Sequence, residues 1–404
     1  MNVFFRSLLS VGFLKILDYL VPFFIMPFAI KKFGIELYGN FSFLLALAVF
    51  FSFCLDLSLN TAGVQYLSKL NDVVEKKSFV KSLVLSKLSI LLVALSLVFF
   101  AYDSFFSSEK LVSIVSFVLI SVGLSLTNLW YYISLGSFKS IISISLFFKF
   151  SSLIVLYSLV DKFDDFLYLQ AGTFFFIGLV SFFHIIKKNI DGNFDTYFLV
   201  SYVRETRHMY TYSIVSGTIQ PFINYTLYSS GDGVALGVYS VTNRFLIAAV
   251  NLSSAINNSL NPLVSKYFYN TESDAFKVRF FKILSSLFIY SFIVSVLVFV
   301  ASAYSVSRLA NQPLTPYVLF FIGVVSIATL PSIVNQFLTQ TLHLFGKSKR
   351  IRNYVLFSSM FSLSVVYLKI GMDLFTIVML GVSLTPILIL CLLLWELKCI
   401  NWRW

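Results

Sequence analysis

Lys15-Ile-Leu-Asp18-Tyr-Leu-Val-Pro22-Phe-Phe-Ile-Met-Pro27-Phe-Ala-Ile-Lys-Lys-Phe-Gly34-Ile-Glu-Leu-Tyr-Gly39-Asn-Phe41 sets how the remaining chain is read. Lys15 and Asp18 stand in the middle of an apolar run from Leu8 to Ile30. A short connection around Gly34 and Gly39 follows, then a second apolar run over Asn40–Leu59. A run of about 20 apolar residues is what a helix needs to cross a bilayer. The design returns later: Gly34-x-x-Leu37-Tyr-Gly39-x-Phe41-Ser42 is echoed by Gly233-x-x-Leu236-Gly237-x-Tyr239-Ser240. Paired spans with charges at membrane depth, built twice, point to a transporter more than to a scaffold.

Working outward, the apolar runs predict twelve spans in all. Spans 3 to 6 are expected at 82–101, 111–133, 140–159 and 166–186. Spans 7 to 12 are expected at 209–228, 234–260, 283–303, 315–338, 354–369 and 374–395. The expected fold is an all-α polytopic membrane protein with two six-helix lobes. An even number of spans per lobe relates the lobes by a pseudo-twofold axis along the membrane normal. The lobes are expected at 1–190 and 209–404, joined by a cytoplasmic linker over the polar stretch 191–208.

Composition agrees. Of the 404 residues 58% are hydrophobic and 12% charged, a ratio that would leave a soluble domain with a largely apolar surface. The net charge of +12 would suggest nucleic acid in a soluble protein, but here its placement matters more. Twenty of the 30 basic residues fall on the side of the N-terminus, six on the other side and four within spans. That asymmetry predicts cytoplasmic termini. The long run after Arg6 lacks a convincing cleavage site and is expected to be retained as a span. Cys54, Cys391 and Cys399 have no metal-binding spacing, and His184, His208 and His343 are scattered, so no metal, cofactor or catalytic residue is expected.

The candidate residues are the intramembrane charges. Arg244 lies about ten residues into span 8, roughly 15 Å deep at about 1.5 Å per residue. From there its head cannot readily snorkel to water, so it should face the bundle interior or a wet cavity. A guanidinium suits phosphate or an acidic sugar; the structural alternative is a bond to helix carbonyls. Lys15 and Asp18, three apart on one face, form either a cavity cation tuned by a coupling carboxylate or a self-neutralised pair. Lys149 is a third candidate cavity cation, whereas Lys87, nearer a span end, is expected to snorkel. Asp56, near the cytoplasmic end of span 2, is expected to be an ordinary interfacial residue or a helix-end partner, with a coupling or charge-pair role as the alternative. Pro22, Pro27 and Pro262 with Gly34 and Gly39 are candidate hinges. Amides including Asn224, Asn251 and Asn257 serve as interhelical glue or sugar contacts.

Four stretches carry a resemblance. They are Ile25-Met-Pro-Phe-Ala-Ile-Lys-Lys-Phe-Gly-Ile-Glu-Leu-Tyr-Gly39, Asn128-Leu-Trp-Tyr-Tyr-Ile-Ser-Leu-Gly-Ser-Phe-Lys139, Ala235-Leu-Gly-Val-Tyr-Ser-Val-Thr-Asn-Arg244 and Asn261-Pro-Leu-Val-Ser-Lys266. In order and spacing the chain resembles bacterial O-antigen and capsule repeat-unit flippases of the Wzx type. Those belong to the multidrug/oligosaccharidyl-lipid/polysaccharide exporter superfamily. The resemblance implies an inner-membrane transporter that moves undecaprenyl-diphosphate-linked oligosaccharide outward by alternating access. It further implies membrane lipids, a polysaccharide polymerase and a chain-length regulator as partners, with no nucleic acid. The related lipid II flippases use basic residues on spans 1 and 8, where Lys15, beside Asp18, and Arg244 stand by position. Their span 2 arginine has no counterpart, because Leu44–Phe53 is apolar apart from Ser52. Two competitors are a drug or metabolite antiporter, which would favour acidic cavity residues, and a membrane polymerase or ligase. The latter would display a long outer loop bearing Arg and His.

Overall fold

The computed structural model describes residues 21–56, 72–100, 111–135, 138–270, 273–344, 347–368 and 380–399, with a few single positions between 57 and 71. The described residues are helical almost throughout, without strands. We number the helices α1 (21–33), α2 (Ile35–Leu55), α3 (Val73–Phe100), α4 (Leu111–Thr127), α5 (Leu129–Ser134), α6 (Phe138–Leu159) and α7 (Phe163–Lys188). The series continues with α8 (Thr196–Ser229), α9 (Gly233–Asn270), α10 (Ser273–Leu309), α11 (Pro316–Ile327), α12 (Thr329–Leu344), α13 (Ser348–Leu368) and α14 (Thr385–Cys399), which a π-helical turn over Leu380–Leu384 precedes. Eight segments among the described residues are long and apolar enough to cross a membrane. The fold is all-α and polytopic.

Several helices outrun their apolar cores. Apolarity puts span 7 at 209–228 and span 9 at 283–303, but α8 begins at Thr196 and α10 covers Ser273–Leu309. A helix satisfies its backbone internally in lipid and in water alike, so hydropathy marks only the buried portion. Two spans are broken instead. Asn128 adopts φ 46°, ψ 53° between α4 and α5, a left-handed conformation that Asn tolerates better than most residues. Its side-chain amide donates to the Leu126 carbonyl at 3.0 Å, satisfying one acceptor that the break frees. The second break falls at Ala328, between α11 and α12.

The chain divides into two compact units. The first comprises the segment up to Phe28 and Phe41–Gly217; the second comprises Ala29–Asn40 and the chain from Thr218. In the first unit α4 packs along α7 with backbones in direct contact. A Cβ on Gly123 would strike the Phe174 carbonyl, and one on Gly178 would strike the Gly123 carbonyl. Small residues permit this approach, and lipid-embedded helices use it where no hydrophobic effect drives association. A buried aromatic cluster of Phe79, Trp130, Tyr131, Tyr132 and Tyr202 fills one end of the unit. Beside it the 189–195 turn docks on α3. Lys81 Nζ donates to the carbonyls of Ile190 and Gly192 at 2.9 and 2.8 Å, and Ser78 and Ser82 Oγ accept from the amides of Asn193 and Asp195. Lys77 pairs with Asp191 at 2.7 Å. That bond, with the lysine charge behind it, holds the exposed Asp191 carboxyl below its ordinary range. The range 191–208 therefore begins as a turn fastened to α3 and continues as the first part of α8.

The second unit is tied by polar bonds between helices. Ser295 Oγ donates to the Ser326 carbonyl at 2.6 Å, and Asn335 Nδ2 donates to the Pro386 carbonyl at 2.8 Å. Here the repeat becomes visible in three dimensions. α2 starts at Ile35 and α9 at Gly233, 198 residues on, which is also the separation of Gly39 and Gly237. Each start follows a glycine in the left-handed region, Gly34 at φ 91° and Gly231 at φ 77°. The motif match paired Gly34 with Gly233. The helix starts pair Gly233 with Ile35 instead, and Gly231 makes the turn. The repeat glycines also touch: a Cβ on Gly39 would lie 2.8 Å from the Gly237 nitrogen.

Candidate functional site

Lys15 and Asp18 lie outside the described residues. The other intramembrane charges separate into paired and open ones. Lys87 does not snorkel. It is 3% exposed, and its Nζ lies 2.8 Å from Asp56 Oδ1, on a side chain 11% exposed. Asp56 closes the end of α2, its amide donating to the Phe53 carbonyl. Lys87 Nζ also donates to Asn128 Oδ1 at 3.4 Å, an oxygen that Trp130 Nε1 reaches at 3.4 Å. The pair thus joins α2, α3 and the break between α4 and α5. Nothing local in the sequence announces it, because the partners come from different helices, 31 residues apart. Proximity to a span end suggested an excursion to water, but packing placed a carboxylate within reach first.

Such a pair is neutral as a unit. A buried charge is tolerated when a partner and hydrogen bonds offset its desolvation, and a pair so closed has little field left for a ligand. Arg244 differs. It sits on α9, half-buried, and has no hydrogen-bond or ion-pair partner among the described residues. Residues 243–247 are all half-buried, between the buried Val241 and Thr242 on one side and the buried Ala248 on the other. About 15 Å of helix separates Arg244 from the start of α9. A guanidinium placed so can take an anion without first breaking a bond. Lys149 is half-buried on α6, in the first unit.

The hinge candidates are also placed. Pro22 and Pro27 lie within the described part of α1 and Pro262 within α9, and the helix continues past each. Gly34 occupies a positive-φ position between α1 and α2, whereas Gly39 lies within α2 and makes the close approach to Gly237. Of the amides, Asn257 reaches across to the Ile333 carbonyl and Gln336 Oε1 at 3.3 and 3.2 Å. Asn224 and Asn251 instead donate to carbonyls of their own helices. Asn257 is thus interhelical glue. Among the described residues no group of three His, Cys, Asp or Glu side chains could hold a metal ion.

No family model and no curated protein sequence matches the chain. Solved structures do. The lipid II flippase MurJ in an inward closed conformation aligns with a TM-score of 0.67 at 16% identity, covering 96% of this chain and 87% of that one. A multidrug resistance MATE family transporter of the MOP superfamily, in its inward-facing conformation, aligns at 0.65 and 10% identity over 94% of both chains. A mutant of the Vibrio cholerae MATE transporter VcmN aligns at 0.58 and 12% identity, covering 99% of this chain and 97% of that one. The chain therefore has the fold of these membrane transporters.

Proposed function

We propose that the chain is a flippase that moves undecaprenyl-diphosphate-linked oligosaccharide repeat units, of O-antigen or capsule, from the cytoplasmic to the periplasmic leaflet. The observation that carries this is Arg244, a half-buried guanidinium with no partner among the described residues, in a chain with a transporter fold. Two unit charges 4 Å apart interact by about 4 kcal/mol at an effective dielectric of about 20, enough to offset much of the cost of bringing a diphosphate out of water. Arg244 binds the headgroup, with Lys149 and Lys15 adding positive charge, while the polyprenyl tail stays in lipid. Rocking of two lobes, 1–190 and 209–404, with 191–208 between them, exposes the site to either face in turn. Asp18 takes part in coupling. The chain works in the bacterial inner membrane with both termini in the cytoplasm, and passes its product to a polysaccharide polymerase governed by a chain-length regulator.

The antiporter alternative keeps one supporting fact, the alignment with MATE transporters at a TM-score of 0.65. One experiment separates the readings. Lipid-linked sugars are followed by leaflet in cells lacking the chain, with rescue by wild type or Arg244→Ala. A flippase requires complete single repeat units to build up on the cytoplasmic leaflet, cleared by wild type and not by the variant. Normal clearance without the chain rejects the flippase, and rescue by Arg244→Ala rejects the role of Arg244.

A further inference from the structure

We propose that the groove between α13 and α14 holds one anionic diacyl phospholipid, with its phosphate on Arg350 and an acyl chain along Phe357 and Phe361. The inference rests on the membrane-spanning fold and not on what is transported.

The charge balance at this end of the two helices calls for an anion. Lys347, Lys349, Arg350 and Arg352 crowd the start of α13, whose first turn holds no acidic residue, and Lys398 lies in the last turn of α14. Glu396, on α14, faces Arg350 and is 3% exposed. Both its oxygens accept from Arg350 Nη1, at 2.8 and 3.1 Å, and Oε2 also accepts from the Tyr354 hydroxyl at 2.7 Å. The carboxylate is used up by these bonds, and among the described residues no other carboxylate pairs with the remaining cations.

The same contacts build the receptor. Glu396 fixes one edge of the guanidinium, while the arginine side chain remains 58% exposed. Nε and Nη2 have no partner among the described residues, so the bidentate edge that these two nitrogens form stays open on an immobilised guanidinium. That fork matches two phosphate oxygens, and its orientation is already set.

Below the guanidinium the surface turns apolar. Arg350, Tyr354, Phe357 and Phe361 recur at i, i+4, i+7 and i+11 and so share a helix face. Phe357 and Phe361 are exposed, with rings stacked at a centroid distance of 6.1 Å. On α14, Ile387, Cys391 and Trp395 form a second exposed stripe at i, i+4 and i+8. From Arg350 to Phe361 is about 16 Å of helix, close to the roughly 15 Å of hydrocarbon in one leaflet. Trp395 lies level with the headgroup, where tryptophan is enriched. A free inorganic anion would gain nothing from the apolar stripes, whereas a phospholipid uses both parts. Basic pockets between spans select anionic headgroups in this way.

The test uses the purified full chain in nanodiscs of phosphatidylglycerol or phosphatidylcholine, with native mass spectrometry counting retained lipid. Wild type should retain one phosphatidylglycerol in preference to phosphatidylcholine. Arg350→Gln should weaken that retention about tenfold, the loss of a charge-assisted bond. Because that variant strands Glu396, Arg350→Lys is run beside it; it keeps a cation for the carboxylate but loses the fork, and should also retain less. The pair Phe357→Ala and Phe361→Ala should lower retention with Arg350 intact. Equal retention of both lipids by wild type overturns the proposal, as does unchanged retention in Arg350→Lys together with the phenylalanine pair. Arg350-dependent displacement of phosphatidylglycerol by a polyprenyl diphosphate also overturns it, reassigning the groove to transported lipid.

Discussion

Substituting Lys87 by Met removes one half of the Asp56–Lys87 pair while nearly keeping side-chain volume. It leaves a carboxylate whose side chain is 11% exposed without its 2.8 Å ammonium partner. Breaking a buried pair from one side costs about 3–5 kcal/mol. That is the destabilisation expected of Lys87→Met, about 3–5 kcal/mol. The 3.4 Å contact to Asn128 adds little, being long for a hydrogen bond. Asp56→Asn should destabilise comparably by stranding the ammonium. The double variant removes both charges and should recover about 2–3 kcal/mol relative to the sum of the singles. Thermal unfolding of the four purified proteins, followed by tryptophan fluorescence, completes the cycle. Additive losses, or a Lys87→Met protein as stable as wild type, would refute the pairing as a determinant of stability. Transport assayed on the same proteins asks more. A double variant that is stable and active assigns the pair to architecture, and one that is stable and inactive makes Asp56 part of coupling.

Gly123→Ala should destabilise the first unit by about 1–3 kcal/mol, since the new methyl meets the Phe174 carbonyl and backbone must move; a Tm equal to wild type would contradict the packing. The Asp191 carboxyl is held below its ordinary value of 3.8, so the stabilisation it provides is complete above that value and lost as pH falls through the lower, folded value. Amide-exchange protection across 189–195, relative to the intrinsic rate at each pH, should therefore fall below about pH 4, and Lys77→Ala should show the lower protection already at neutral pH.

Much of this protein is written in local pattern. Apolar runs long enough to cross a bilayer follow from composition, because lipid forces each spanning backbone to satisfy itself as a helix, and their spacing gives the order of spans. The glycines at 34, 39 and 237 mark the repeated connections, since a positive φ or a close backbone approach excludes most side chains, whereas the structure moves the second turn from Gly233 to Gly231. Arg244 stands out in the sequence for a similar reason, as a charge far into an apolar run, and its role is a proposal. What only the tertiary structure decided is which charges are spent. The identity of Lys87 says that it is cationic, but not that Asp56 lies 2.8 Å away. The basic run at Lys347 says that the region is positive, but not that Glu396 clamps Arg350 from behind. Hydropathy depends on neighbours along the chain, within a turn or two of helix. Neutralisation depends on neighbours across helices, tens of residues apart, and is settled only when the helices pack.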